Sequence, residues 1–390
     1  VAADFIDSFL AYTDQVPSPY IFRLWAGIAG VAGALERRVW VRALPQPTFA
    51  NLYVLLVASP GIGKGVIDEI THVWKRAKKL HLAPDSVTSA SLLDALLDAR
   101  RLIVKDGVPE FEYHSLIVPS EEFGVLVPAH DLEFLSRLNR IFTNPEELRV
   151  RRKYIKEEIR IVQPQLTILA GTQPGYLASL LPEEAWSMGF TQRILFIHAS
   201  KGEHKTLFAH EERSAESIGA CMRQLADMKG EVRFAPVAAK RIGEWHNAGG
   251  PPRPSHVRLT HYLNRRTQFM LKLMLVSCAS RLDGGEVIEF DYERALTWLL
   301  AAEHHMPDVF LEMAGKSDAN VLSDLSYWGW TVYTRTKSPI HESRIHAFLS
   351  TRVPSEKVPH IFALAIRSAL WENIPEGSKT WVPRARETEA

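Results

Sequence analysis

The sequence predicts an α/β chain, a parallel sheet flanked by helices, with helices ahead of it and a helical region and a small terminal module behind it. Three observations carry this. Apolar runs such as NLYVLLVA (51–58), HSLIVP (114–119), LTILAG (166–171) and ILFIHA (194–199) have the length and composition of buried parallel strands. Helical patterns alternate with these runs. A glycine loop, SPGIGKG at 59–65, follows the first run and precedes the helical stretch GVIDEITHVWKRAKKL.

In chain order, residues 4–36 read as helical, with Phe5, Ile6, Phe9 and Leu10 on one face and small residues in WAGIAGVAGAL that permit close packing. RVWVRAL alternates and is β-branched, so it reads as a strand. SVTSASLLDALLDARRLIV reads as one helix with a Thr/Ser start, and DLEFLSRLNRIFT as another. The charged stretch EELRVRRKYIKEEIRIV fits either a hairpin or a helix pair reaching into solvent. Residues 200–250 read as mostly helical, and NAGGPPRP as a loop. Two more helical stretches cover 256–282 and 291–315. From about 317, three helices and a short β ending suit a winged-helix shape. The expected divisions are therefore 1–40 (N-terminal helices), 41–202 (core), 203–316 (helical lid) and 317–390 (winged module).

The totals are those of an ordinary globular chain: 390 residues, 46% hydrophobic and 23% charged. A net charge of +1 excludes a generally basic protein, so any surface for nucleic acid must be local. Cys221 and Cys278 form no CxxC pair or disulfide framework, which points to a reducing cytoplasm. No run reaches the roughly 18–20 apolar residues that span a bilayer, so no membrane partner is expected. The start at Val1 without a basic leader suggests a trimmed chain, from which a neighbouring domain can be missing.

The glycine loop carries the chemistry. Ala58, Gly63 and Lys64 stand in the register of a P-loop, in which backbone N–H groups cradle phosphate and the lysine reaches the β- and γ-phosphates. Ser59, Pro60, Gly61, Ile62, Gly63, Lys64, Gly65 and Val66 are thus candidate nucleotide contacts, at a helix start that favours anions. Alone, the motif also suits a tight turn with a surface lysine. The strand before it and the helix after it favour phosphate. Gly65 replaces the usual Ser or Thr and removes a direct Mg²⁺ ligand.

LIVPSEE ends an apolar run in two carboxylates, as a Walker B site does. Glu121 stands where Asp is usual and is the expected Mg²⁺ ligand; Glu122 is the expected base for the attacking water. Thr172 and Gln173 end another buried run, where a polar group could meet the γ-phosphate or the water. Arg193 precedes the fourth run and is placed to complete a neighbouring subunit's site. Arg265 and Arg266, in HYLNRRTQF, are candidate nucleotide contacts from a lid. Together these residues define a P-loop ATPase reading of the α/β fold, with ATP and Mg²⁺ as cofactors. The 15 histidines are scattered, and EHHMP (303–307) reads as helix surface rather than a metal site.

SPGIGKG, TSASLLDALL, SLIVPSEEFGVLV, LTILAGTQPGYLASLLPEEAWSMGFTQRILFIHA and HYLNRRTQFMLKLMLVSCASR, taken in order, resemble a family of ATPases in phage, prophage and plasmid replication proteins, a group of helicases and primase-helicases. The resemblance spans roughly residues 5–310. It implies a ring-forming ATPase of AAA+ or RecA-like kind, a hexameric homo-oligomer with ATP at subunit interfaces. Lys64, Glu121 and Glu122 then act in cis and Arg193 in trans. It also implies single-stranded DNA as the track and other replication proteins as partners. RVRRKYIKEEIR is the candidate channel loop, with Arg149, Arg151, Arg152, Lys153 and Lys156 on phosphates and Tyr154 stacked on a base. A solvated helix with Lys/Glu pairs fits that stretch equally. In the terminal module only Lys357, His360 and Arg367 are basic on the would-be recognition helix. Three functions follow: a helicase or translocase, an ATP-switched loader or initiator, and a DNA-binding assembly protein whose P-loop has decayed.

Overall fold

The computed structural model describes residues 4–85, 87–105, 108–128, 131–151, 158–181, 189–205, 215–350, 353 and 357–384. They fall into two compact units, Val1–Phe310 and Leu311–Ala390. The fold is mixed α/β, with both parallel and antiparallel strand pairs. Among the described residues, no helix is long and apolar enough to cross a membrane.

In chain order, the first unit runs α1 (Phe5–Tyr12), α2 (Tyr20–Leu35), β1 (Val39–Val41), β2 (Thr48–Phe49), β3 (Tyr53–Val57), α3 (Val66–Lys75), α4 (Ser89–Asp98), β4 (Arg100–Lys105) and β5 (Val108–Ser120). It continues through α5 (Phe123–Leu126), α6 (Leu132–Phe142), β6 (Glu147–Arg151), β7 (Glu158–Val162), β8 (Pro164–Thr172), α7 (Pro174–Leu180) and β9 (Ile194–His198). Then come α8 (Ala215–Asp227), β10 (Gly230–Val232), α9 (Pro236–Asn247), α10 (Thr260–Leu263), α11 (Arg266–Ser280) and the first part of α12 (Glu289–Thr336).

A five-stranded sheet of order β4-β5-β8-β3-β9 forms the centre. Strands β5, β8, β3 and β9 are parallel, and β4 closes one edge antiparallel to β5. Every residue of β3, β8 and β9 is buried, as the unbroken apolar runs require of a sheet covered on both faces. The small residues of α2 let α3 pack closely. A Cβ on Gly30 would lie 2.7 Å from Ile70 Cδ1, and Trp74 Nε1 donates to the Gly30 carbonyl at 3.0 Å. Pro17 and Pro19 lie in the break between α1 and α2.

Two expectations change. The helix expected over 86–104 stops at Asp98, and Arg100–Lys105 instead forms β4, hydrogen-bonded along β5. The β-branched Ile103 suits that edge, and Arg100 and Arg101 find Glu112 and Glu36. The helix expected to stop near Gly315 continues to Thr336. Within the charged stretch, β6 and β7 pair antiparallel.

The second unit contains the end of α12, β11 (Ile340–His341), α13 (Glu342–Ser350), α14 (Val358–Arg367), β12 (Trp371–Asn373) and β13 (Thr380–Pro383). Its antiparallel sheet has the order β11-β13-β12. Ile345, Leu349, Ile361, Phe362 and Trp371 fill its core. A Cβ on Gly329 would strike the Trp371 ring at 2.2 Å.

Candidate functional site

The loop between β3 and α3 has two glycines at positive φ, Gly61 (80°) and Gly63 (38°). At Gly63 a side chain has no room, because its Cβ would lie 2.2 Å from the Pro17 carbonyl oxygen. Ser18 Oγ donates to the Gly63 carbonyl, so the turn before α2 holds the loop from outside. Pro60 and Gly61 are exposed, while Ile62 donates its N–H to the Ser59 carbonyl at 3.4 Å. Gly65 caps α3, and Val66, its first residue, is buried.

Lys64 folds back over the loop, its Nζ donating to the carbonyls of Ala58 (3.2 Å) and Thr172 (3.4 Å). A Cβ on Gly171 would meet the Glu121 carbonyl oxygen at 2.4 Å and Lys64 Cδ at 3.1 Å. The carboxyl ends of β3, β5 and β8 thereby bring Lys64, Glu121 and Thr172 together. Thr172 is fully buried, and its Oγ1 has no hydrogen-bond partner among the described residues. Gln173 caps α7 and is half-buried.

A residue that sequence reading missed completes this end of the sheet. Asp68, in the first turn of α3, lies beside Glu121 in one cleft. Hydrogen-bonding and charge interactions with Asp68 raise the Glu121 pKa above the ordinary carboxylate value, and partial burial and the Glu122 charge add to the rise. Asp68, Glu121 and Glu122 line a cleft of about 550 Å³ with Thr71, His72 and Lys75. Two carboxylates close enough to raise one another's proton affinity are also two oxygen donors that a divalent cation can hold together. The donor set therefore fits Mg²⁺, with Asp68 three residues beyond the position where Gly65 lacks a hydroxyl. The signal in the sequence was an acid one turn into a helix whose apolar face is buried. Glu122 is exposed and precedes α5.

Arg193 stands elsewhere. Its neighbour Ile194 pairs with Tyr53 at the amino end of β3, whereas Lys64 lies beyond the carboxyl end at Val57. Four residue steps of strand, about 13 Å, separate the two ends. Burial, and then the charge of Arg265, push the Arg193 guanidinium down to about 10. It donates to the Gly189 carbonyl, and its buried Nε has no partner among the described residues. Arg265 is half-buried and reaches Gln268 Oε1 at 3.3 Å.

Arg266, expected beside nucleotide, is instead committed to packing. It is 2% exposed and grips Glu303 with two bonds, Nε–Oε1 at 2.6 Å and Nη2–Oε2 at 2.8 Å. Tyr262 donates to the same carboxylate at 2.9 Å, and the guanidinium lies 5.1 Å from the Trp245 ring centre. Burial raises the Glu303 pKa, against the opposing pull of Arg266. Successive helix residues point about 100° apart, so only one of the two arginines can face Glu303.

Of the expected DNA contacts, Arg149 lies on β6 and Arg151 ends it, while Arg152, Lys153, Tyr154 and Lys156 fall outside the described residues. Arg149 is exposed but pairs with Glu147, which also takes Arg160 from β7. A groove of about 950 Å³ runs between α6 and β6, with Arg137, Arg140 and Arg149 set among Glu133, Glu146 and Glu147. The described part of this surface is charge-compensated rather than basic.

No protein-family model matches the chain, and a search of curated proteins finds no match.

Proposed function

We propose that this protein is an ATP-driven, ring-forming motor of the P-loop class, a DNA helicase or translocase. The observation that carries the reading is the convergence of Lys64, Asp68 and Glu121 where three adjacent parallel strands end beside a glycine loop. Ligands of open parallel sheets bind at such carboxyl ends. In this reading the loop N–H groups and the start of α3 hold phosphate oxygens, and Lys64 supplies a full positive charge there. Asp68 and Glu121 would hold Mg²⁺, which would supply positive charge against the phosphate. Exposed Glu122 orients and deprotonates the attacking water.

Arg193 cannot serve the same chain's loop, being at the other end of the sheet. It suits a neighbour's nucleotide, as a homo-oligomeric ring of hexamer type requires. Closing and releasing that contact would move the β6–β7 hairpin against single-stranded DNA. The second unit has the order helix, strand, two helices, two strands of a winged helix, and α14 carries exposed His360 and Arg367. A switch that loads another helicase is the second reading. It is favoured by the charge compensation of Arg149 and Arg160, which leaves the described hairpin a poor grip on phosphates.

The test is ATP turnover with and without single-stranded DNA, for the parent and for Lys64→Ala. DNA-stimulated turnover that Lys64→Ala abolishes supports the motor. ATP binding without turnover supports the switch. No ATP binding by the parent removes both.

A further inference from the structure

Away from the glycine loop's acidic cleft, β9 and α12 bring together three metal-ligating side chains that sequence reading left apart. His198 ends β9 and is 4% exposed. His305 and Asp308, three residues apart, share a face of α12 and stand about half exposed. Asp308 Oδ2 is 3.1 Å from His305 Nδ1 and 3.9 Å from His198 Nδ1. One donor atom from each residue lies within 4.8 Å of the other two.

These distances suit one small ion. A tetrahedral zinc with bonds of about 2.0–2.1 Å holds its ligand atoms roughly 3.4 Å apart. The observed 3.1 and 3.9 Å straddle that value, so small side-chain rotations close the set. Imidazole and carboxylate donors select zinc and its first-row neighbours over magnesium or calcium, which prefer oxygen alone. The surroundings are apolar on the inner side. Phe196, two residues before His198 and on the same strand face, packs edge-on against Phe310 at 6.1 Å, and Met306 and Val309 are fully buried. The outer side is open at His305 and Asp308, which leaves a fourth position for water. Three protein ligands and one open position mark reactive or regulatory zinc sites rather than closed structural ones.

We propose that His198, His305 and Asp308 form a binding site for one divalent transition-metal ion of the zinc class, clamping α12 to the end of β9. The position has a consequence for the loop. His198 pairs in register with Val57, the last residue before Ala58, and the next N–H, of Ala199, donates to the Val57 carbonyl at 3.2 Å. A metal at His198 therefore stiffens the strand beside the one that carries the loop.

The site is tested on the full chain after chelator treatment, by calorimetric titration with Zn²⁺ and by the visible absorption of added Co²⁺. One ion per chain is expected, with a Co²⁺ band of four-coordinate type and a higher Tm in Zn²⁺. Loss of a ligand in His305→Ala or Asp308→Ala should weaken Zn²⁺ at least tenfold. Both positions are half exposed, so these variants keep the fold even if a change at buried His198 does not. His304→Ala and Lys64→Ala should bind Zn²⁺ as the parent does, which separates this site from the nucleotide reading. No Zn²⁺ uptake by the parent would overturn the proposal, as would undiminished affinity in the His305→Ala/Asp308→Ala double variant.

Discussion

At the carboxyl ends of β3, β5 and β8, Asp68 and Glu121 crowd two acids into one cleft. At the amino ends of β3 and β9, Arg193 and Arg265 crowd two cations, and among the described residues neither forms an ion pair. The same unit pairs buried Arg266 with Glu303 and half-buried Arg294 with Asp4. Like charges left together cost stability and persist where something outside the chain relieves them. A cation would relieve the acidic end, and an anion the basic end. Head-to-tail association, which closes rings, sets opposite ends of neighbouring subunits together, and the proposed trans role of Arg193 uses that geometry.

The comparison breaks most visibly at the paired arginine. Glu303→Ala leaves Arg266 buried without its carboxylate and should cost about 3–5 kcal/mol, read from denaturant unfolding. Arg193→Ala removes a repelled charge and should leave unfolding unchanged or raise its midpoint. A comparable loss in both variants would end the distinction between paired and crowded arginines.

A second test mixes subunits. If the proposed ring motor holds, Lys64→Ala and Arg193→Ala should each abolish ATP turnover alone. Mixed in equal amounts they should regain part of it, because some interfaces then join an intact loop to an intact arginine. No recovery would leave Arg193 without a trans role.

The acidic end has a pH signature with a definite sign. Asp68 raises the Glu121 pKa, so the unfolded chain gives up this proton before the folded one does. The stability tied to the protonated Glu121 is complete below the ordinary carboxylate value. It is lost as pH rises through the raised folded value. Glu121→Gln should therefore unfold at higher denaturant than the parent at pH 7 and lose that advantage in acid. Millimolar Mg²⁺ should stabilise the parent and not the variant.

The smallest effect is expected on the hairpin. Arg149→Ala breaks an exposed pair with Glu147, so Tm should not move measurably. If the hairpin tracks DNA, the variant should still flatten the salt dependence of DNA affinity by about one unit of log–log slope.

Much of the site was legible because it is local. The loop, the strand before it and the helix after it are contiguous, so the run NLYVLLVASPGIGKGVIDEI displays them in order. Glu121 was legible as an acid at a strand end for the same reason. Asp68 was not, since its meaning depends on β5 bringing Glu121 into the same cleft. Arg265 and Arg266 were indistinguishable as neighbours in a helix; the position of Glu303, 37 residues further on, separates them. Strand β4 was hidden because six residues after a strong helical pattern continue it until a partner strand offers hydrogen bonds.

By itself the sequence determined the mixed α/β class, the buried central strands and the glycine turn, because hydrophobic period and glycine conformational freedom act within a few residues. Only the tertiary structure decided which charges meet. It set Asp68 beside Glu121, Arg193 at the end of the sheet away from Lys64, and His198 beside His305 and Asp308. Electrostatic and ligand interactions depend on distances of a few ångströms between residues that lie tens to more than a hundred positions apart, and no local pattern encodes those distances.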